Sequence, residues 1–188
     1  MSEIRRAVAA GVLLLLTTTL SVSAERPSPL KSLDKAAEVR TVKADPLPKA
    51  QKVLIVKSKR KLYLIREGKP YREYHIALGK SPEGPKEREG DRKTPEGNYT
   101  LDFKKRDSDY YRAIHVSYPN EADRARAKRM GVSPGGAIMI HGQPNWWGWL
   151  SPIRQRFDWT AGCIAVSNGD MDEIWQAVEP GTPIEIRP

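Results

Sequence analysis

The sequence predicts a mainly β domain (α+β) with two short helices, extending from about residue 51 to residue 188. Short apolar runs of strand length, such as 53–56 and 61–65, recur along this part of the chain. Polar turns rich in Gly, Pro, Lys or Asn separate these runs. Only two segments, about 121–130 and 168–178, combine a capping residue with the length of a helix.

The order of the predicted elements follows from the same signals. Three strands at 53–56, 61–65 and 71–78 are joined by turns and are expected to begin an antiparallel sheet. A loop rich in Gly, Pro and charged residues follows, from 79 to 93. The later strands are predicted at 98–103, 113–117, 137–140, 164–166 and 183–186.

Both predicted helices carry capping signals. Asn120 is placed to cap the first helix, and Gly131 to end it. Ser167 or Asn168 is placed to cap the second helix. Asp170 in its first turn is favourable because a carboxylate complements the positive end of the helix dipole.

The first 24 residues have the form of a secretory signal peptide. Arg5 and Arg6 precede an apolar run at 7–16, and small residues at 22–24 would allow cleavage after Ala24. An uncleaved anchor is the alternative, although the run is shorter than the roughly 20 residues that span a bilayer. Residues 25–50 contain four prolines and no apolar period, which predicts a flexible linker. We therefore expect export to a periplasm, without stable membrane insertion.

The charge of the chain narrows the class of partner. The formal net charge is +9. A basic protein suits nucleic acid, but an exported protein seldom meets it, so nucleic acid is not an expected partner. Anionic wall polymers, carboxylates and acidic lipid surfaces are the expected partners, and solubility alone is the alternative interpretation.

The single cysteine, Cys163, is the main candidate for chemistry. In an exported protein it is an inert buried thiol, an intermolecular bridge or a nucleophile. His141 directly follows one apolar run and Cys163 precedes another, so neighbouring strands would bring the imidazole to the thiol as its base. The N–H groups of Gly162 and Cys163 would then stabilise an oxyanion. The competing bases, His75 and His115, lie within strand patterns and are expected to be structural.

Three blocks of sequence occur together and in order: Leu62-Tyr63-Leu64-Ile65, residues 91–99 (Asp-Arg-Lys-Thr-Pro-Glu-Gly-Asn-Tyr), and Ile140-His141-Gly142 with Thr160-Ala161-Gly162-Cys163. Together they resemble the YkuD-type L,D-transpeptidase catalytic domain, over about Val53 to Pro188. Two positions depart from the usual family pattern: Ala161 stands where most members have a histidine, and Ala165, two residues after the cysteine, where most have an arginine. With these departures, Tyr118-Pro119-Asn120, Gly135-Gly136 and residues 158–163 resemble a divergent branch in which some members release an outer-membrane lipoprotein from the wall.

The resemblance implies a fold, a mechanism and a substrate. The fold implied is a two-sheet β-sandwich with two short helices and a loop over the active-site cleft. Cys163 would attack the third residue of a peptidoglycan stem peptide, with His141 as base and the Gly142 carbonyl orienting its ring. An amine or water would resolve the thioester, and a wall-attached lipoprotein is a second possible partner. No metal or organic cofactor is implied, and a monomer is expected.

Several residues are candidates for binding the substrate. Thr160 lies three residues before the nucleophile. Trp146 and Trp147 lie in a tryptophan-rich loop at 145–159, which would form a lid or a platform, or would bury its own base instead. Arg92 and Arg112 would grip stem carboxylates bidentately, with solvated surface charge as the alternative.

Four classes of function remain open. A transpeptidase is preferred, and a hydrolase with the same nucleophile differs from it only in the acceptor. A non-catalytic wall-binding module would not need Cys163. A sortase-like or papain-like peptidase fits less well, because Ala165 is not an arginine and His141 precedes a cysteine on a predicted strand.

Overall fold

A computed structural model describes residues 46–146 and 151–188 of the chain. The predicted signal peptide and most of the predicted linker lie outside the described residues. The described end of that linker, 46–50, packs on the domain, because Leu47 contacts the core and the Ala50 N–H donates to the Ala177 carbonyl at 2.9 Å. The packed domain therefore includes the last residues of the segment predicted as linker.

Within these two ranges, eight strands form one hydrogen-bonded sheet in the order β3-β2-β1-β8-β4-β5-β6-β7. The mainly β class is confirmed. The two sheets that the resemblance implied are joined into one, because β8 pairs in parallel with β1 and antiparallel with β4. The strands are β1 Lys52–Val56, β2 Lys61–Arg66, β3 Lys69–His75, β4 Gly97–Lys105, β5 Ala113–Val116, β6 Met139–His141, β7 Ile164–Ala165 and β8 Thr182–Arg187.

The sheet curls until its two edges meet. The chain leaves β3 at His75, and Ala77 then pairs with Ala165 of β7, each N–H donating to the other carbonyl at 2.8 Å. This pairing satisfies the backbone of an edge strand that would otherwise remain exposed. It also brings the loop that begins at Gly79 beside the segment before Cys163, where Gly79 pairs with Thr160.

The core follows the period of two that the sequence shows. Val53 and Ile55 of β1 are buried and alternate with less buried neighbours. β2 and β8 repeat this alternation, and the buried residues of these strands form one cluster with those of β5, β6 and β7. Met171 and Ile174 of a helix complete this cluster. The core therefore fixes the strands that carry the candidate site.

The two longer helices of the structure lie at the positions of the two predicted helices. Helix α1, Glu121–Arg129, begins with a capping box between Asn120 and Asp123. Helix α3, Asn168–Ala177, is capped by Ser167. A further turn, α2 at Ser151–Arg154, is too short for a helical period to predict. In the portion of the chain described, no helix combines the length and apolar character that crossing a bilayer requires.

Candidate active site

Cys163 and His141 lie on the same face of two neighbouring parallel strands. β6 pairs with β7 so that Ile140 is opposite Ile164 and His141 is opposite Ala165. Cys163 precedes β7 by one residue and Ala165 by two, so alternation places its side chain on the His141 face. Ile140 and Ile164, on the other face, are both buried in the core. The register thus brings the predicted base and nucleophile to one face.

The imidazole of His141 is buried and held by the backbone. Its exposed fraction is 2 %, and Nδ1 lies 2.7 Å from the carbonyl oxygen of Gly142. A carbonyl only accepts, so Nδ1 carries the proton and Nε2 holds the lone pair. Burial lowers the pKa of His141 to about 4, against the smaller opposing effect of the Gly142 hydrogen bond. The ring is therefore neutral near pH 7, with Nε2 able to accept a proton.

Two aromatic rings enclose this imidazole. The ring centroid of Tyr110 lies 4.1 Å from that of His141, and Trp159 approaches edge-on at 5.8 Å. The guanidinium of Arg154 lies over the indole of Trp159, 5.4 Å from its ring centroid. Neither aromatic was a predicted site residue. Trp159 belongs to the predicted tryptophan-rich loop, whereas nothing in the polar stretch around Tyr110 marks it in the sequence.

The thiol of Cys163 is partly buried and unmodified. Its Sγ donates to the carbonyl of Ala137 at 3.6 Å. Burial raises the pKa of the thiol, while the Met139 N–H and the charge of Lys86 lower it in part. Between residues of the two described ranges, no hydrogen bond joins Sγ to His141. The thiol is therefore protonated near pH 7.

The turn before the nucleophile is held by Thr160. Its hydroxyl donates to the Cys163 carbonyl at 2.8 Å and accepts from the Gly162 N–H at 3.0 Å. The Gly162 N–H, a predicted oxyanion donor, is thus already bonded. Gly162 has φ +137°, and a Cβ there would lie 2.7 Å from the Lys93 carbonyl oxygen, so only glycine fits. Thr160 shapes the turn rather than presenting its hydroxyl to a ligand.

The same turn is anchored at its start by Asp158. Its carboxylate pairs with Arg60, with Nη2–Oδ2 at 2.7 Å, and accepts the N–H of Leu78 at 2.9 Å. Gly79 lies beside this turn, and a Cβ on Gly79 would be only 2.1 Å from the carbonyl oxygen of Arg92. Asp158 and Gly79 were not predicted to be functional. A glycine in a loop, and a carboxylate whose partner Arg60 is distant in the chain, leave no recognisable sequence pattern.

Gly142 directly follows β6 and packs against Asn168, the first residue of α3. Its N–H donates to the carbonyl of Tyr111 at 2.9 Å. A Cβ at this position would lie 2.6 Å from Oδ1 of Asn168 and 2.8 Å from the Tyr111 carbonyl oxygen. The Asn168 Oδ1 also accepts the N–H of Gln143. The residue that orients the His141 ring is therefore fixed by contacts on both sides.

The predicted arginine and tryptophan ligands lie elsewhere or remain without a described contact. Arg112 pairs with Asp172 of α3 at 2.7 Å and lies over the Trp175 ring, so it faces that helix. Arg92 is exposed, and its backbone carbonyl packs against Gly79. Trp146 is 90 % exposed. Trp147 lies outside the described residues.

The other two histidines are held by structural contacts. Nε2 of His75 lies 2.8 Å from the carbonyl of Gln155. Nδ1 of His115 lies 2.7 Å from Asp102, and its ring stacks on Phe103. Across residues 46–146 and 151–188, no group of three or more His, Cys, Asp or Glu side chains is arranged to hold a metal.

Comparison with known proteins agrees with this geometry. The model of the L,D-transpeptidase catalytic domain, YkuD, matches residues 50–186. YafK of Escherichia coli K12 is 33 % identical over 149 residues, an alignment covering 72 % of this chain and 53 % of YafK. This chain therefore spans about half the length of the curated relatives it matches.

Two solved structures share the fold. The helical cell shape determining protein Pgp2 from Campylobacter jejuni has a TM-score of 0.55 and 32 % identity, covering 72 % of this chain and 46 % of Pgp2. Bd1075 of Bdellovibrio bacteriovorus has a TM-score of 0.52 and 27 % identity, covering 76 % of this chain and 53 % of Bd1075. The chain belongs to the YkuD family of L,D-transpeptidase catalytic domains.

Proposed function

We propose that this protein is a peptidoglycan-modifying cysteine L,D-transpeptidase. The observation that carries the proposal is the placement of Cys163 and a buried, neutral His141 on one face of adjacent parallel strands. Gly142 fixes the ring so that Nε2 is the basic atom. Family membership supports a stem-peptide substrate, and the similarity to Pgp2, named for cell shape, supports a role in the wall.

In the acylation step, Sγ attacks the carbonyl carbon of the third stem residue. A rotation about χ1 of Cys163 turns Sγ from the Ala137 carbonyl toward His141, and the thiol proton passes to Nε2. The bond to the terminal D-alanine then breaks, and the imidazolium returns that proton to the leaving amine. The product is a thioester between Cys163 and the third residue. Because burial lowers the pKa of His141, its protonated form gives up the proton readily to the leaving amine.

The oxyanion needs a donor other than Gly162. The N–H of Gly162 is bonded to Thr160. The N–H of Cys163 itself has no acceptor among residues 46–146 and 151–188. We therefore assign it as the backbone donor to the developing oxyanion.

The acyl-enzyme is resolved by an amine of a second stem, which forms a new amide bond and gives its proton to His141. A hydrolase is the second candidate, and two positions favour it. Ala165 is fully buried and its backbone pairs with His141 and Ala77, so a short apolar side chain stands where the family commonly has an arginine. Ala161 is exposed, so the missing histidine would have faced outward. Without these side chains, water rather than a positioned amine is a plausible acceptor.

Purified protein incubated with tetrapeptide muropeptides, with and without an amine acceptor, tests both candidates. Mass spectrometry should show a product joined to the acceptor. Cys163→Ala should abolish all turnover, and His141→Ala should lower it by at least about 10²-fold. His115→Ala is the matched control and should retain activity, because its ring contacts Asp102 and Phe103.

The outcomes separate the classes of function. Hydrolysed product alone, whatever the acceptor, would establish the hydrolase. Wall function that survives Cys163→Ala, in a protein without turnover, would indicate a non-catalytic binding module. Turnover that survives Cys163→Ala would contradict the role of Cys163 as nucleophile. Export to a periplasm follows from the predicted signal peptide, and N-terminal sequencing of the protein from a periplasmic extract should begin at Glu25. A wall-attached lipoprotein is tested as substrate in the same assay, and a monomer is expected on size exclusion.

A further inference from the structure

A buried ion pair lies in the loop beside the nucleophile. Nζ of Lys86 is 2.7 Å from Oδ1 of Asp91, and these side chains are 4 % and 8 % exposed. Lys86 also donates to the carbonyl of Arg88 at 3.0 Å. The proposed mechanism uses neither residue. Because desolvation offsets much of the attraction in a buried pair, stability alone is a weak reason for its presence.

Asp91 organises the backbone of this loop. In addition to Lys86, its carboxylate accepts the N–H groups of Glu87 at 2.8 Å, Arg88 at 3.1 Å and Lys93 at 3.1 Å. Burial raises the pKa of Asp91, but Lys86 and these three N–H groups together lower it to about 2. The carboxylate is therefore ionised at any pH at which the protein works, and it fixes residues on both sides of itself.

The ordered loop packs directly on the nucleophile turn. The carbonyl oxygen of Lys93 lies 2.7 Å from the position a Cβ on Gly162 would take. The carbonyl of Arg92 packs against Gly79, which pairs with Thr160. The Lys93 carbonyl thus packs on the turn itself and the Arg92 carbonyl on the neighbouring Gly79, and the Asp91 hydrogen bonds hold the backbone that carries both.

Lys86 faces groups from two elements. The ion pair partner Asp91 lies in its own loop, and Arg126 of α1 donates to the Lys86 carbonyl at 3.1 Å while pairing with Asp123. The positive charge of Lys86 also acts on the Cys163 thiol, against the effect of burial. The contacts place the amine beside the turn: Lys86 Nζ bonds to Asp91 Oδ1, the same oxygen accepts the Lys93 N–H, and the Lys93 carbonyl packs on Gly162 next to Cys163.

We propose that the Lys86–Asp91 pair is a positioning element of the active site, in which Asp91 fixes the loop under Gly162 and Lys86 presents a cation to the thiol. This inference rests on the proposed role of Cys163 as nucleophile. It assigns to both residues a function through Cys163 rather than contact with substrate.

The test uses the fact that Cys163 is the single cysteine. The rate of alkylation by iodoacetamide is measured from pH 6 to 10 on the full chain. Lys86→Met should lower the rate at pH 7 by about threefold to tenfold and move the profile to higher pH, because the thiolate loses a neighbouring cation. Lys86→Arg keeps the charge and should restore most of the rate.

A second buried lysine supplies the matched control. Lys57 is 2 % exposed and pairs with Glu96 at 2.7 Å, with further bonds to the carbonyls of Gly84 and Thr94. Lys57→Met should destabilise the protein to a similar degree but leave the alkylation profile unchanged. If Lys86→Met does not fold, Lys86→Gln removes the cation but keeps a hydrogen-bond donor for Asp91, and it should show the same slower alkylation.

Alkylation needs no turnover, so it separates this inference from the proposed function. A wild-type protein without transpeptidase or hydrolase activity would remove the proposed function, yet a shifted profile in Lys86→Met would still support the effect on the thiol. A folded Lys86 variant with the wild-type profile would overturn the inference, as would an equal shift in Lys57→Met.

Discussion

At the scale of single residues, Gly79 determines how closely two loops approach. Its N–H donates to Oγ1 of Thr94 at 3.1 Å, and a Cβ would lie 2.1 Å from the carbonyl oxygen of Arg92. Gly79→Ala should therefore lower the free energy of unfolding by about 1–3 kcal/mol and slow turnover, since the nucleophile turn must shift. Urea unfolding and the muropeptide assay measure both effects. Gly136→Ala is the control, because no atom lies within 4 Å of its Cβ position; equal stability of the two variants would contradict the packing argument.

The ring of Tyr110 covers one side of the buried His141 imidazole, the proposed base. Its ring lies 4.1 Å from the His141 imidazole, and burial is the main cause of the lowered pKa of that ring. Tyr110→Ala should admit water and raise the pKa of His141 by at least about one unit toward its ordinary value. Titration of the imidazole signals by NMR measures this directly. Phe103→Ala, which uncovers His115 instead, should leave the His141 titration unchanged.

At the scale of elements, helix α3 is held at its N-terminus by Ser167. The hydroxyl accepts the N–H of Asp170 at 3.1 Å, and the helix then contributes Met171 and Ile174 to the core. Ser167→Ala should cost about 1 kcal/mol of stability, because one backbone donor loses its partner. Chemical denaturation gives the value, and turnover at 25 °C should be unchanged. An unaltered denaturation midpoint would show that the cap contributes nothing.

The elements that could be predicted from the sequence are those with a local pattern. β1, β2 and β8 alternate buried and less buried residues, and this period of two is visible in the sequence. α1 is marked by the residues of its capping box. Backbone pairing leaves no such trace. The bridge of Ala77 to Ala165 that closes the sheet consists only of N–H and carbonyl groups, and a helix of four residues has no period.

The candidate site was predictable to a similar extent and for similar reasons. Cys163 and His141 stand out because each adjoins an apolar run, whereas their support comes from contacts distant in sequence. Tyr110 reaches His141 from a loop, and Lys86 in a polar stretch has the appearance of a solvated charge although it is buried. Arg112 is the opposite case. It was predicted to bind a substrate carboxylate, and in the structure it pairs with the carboxylate of Asp172.

At the scale of the whole molecule, ionisable groups whose pKa values are shifted by folding make stability depend on pH in separate windows. Asp91 and Glu185 have pKa values of about 2, below their ordinary values, so their contributions are present above about pH 4.5 and are lost as the pH falls toward 2. His141 also has a folded pKa below its ordinary value, about 4 against 6.5, so its contribution to stability is likewise lost as the pH falls. Its effect begins at a higher pH than that of the carboxylates.

Between pH 6.5 and about 4, the unfolded chain binds a proton at His141 that the folded protein excludes. The free energy of unfolding should therefore decrease as the pH is lowered from 6.5 to about 4. The total loss should be about 3 kcal/mol, because each pKa unit corresponds to about 1.4 kcal/mol. Urea unfolding at pH 7, 6, 5.5 and 5 measures the slope above the range of the carboxylates. His141→Gln, which cannot titrate, should flatten the slope relative to wild type, whereas His115→Gln should retain the part that His141 contributes. A His141→Gln slope equal to that of wild type would mean that the imidazole is not buried as a neutral ring, and the geometry proposed for proton transfer from Cys163 would fail with it.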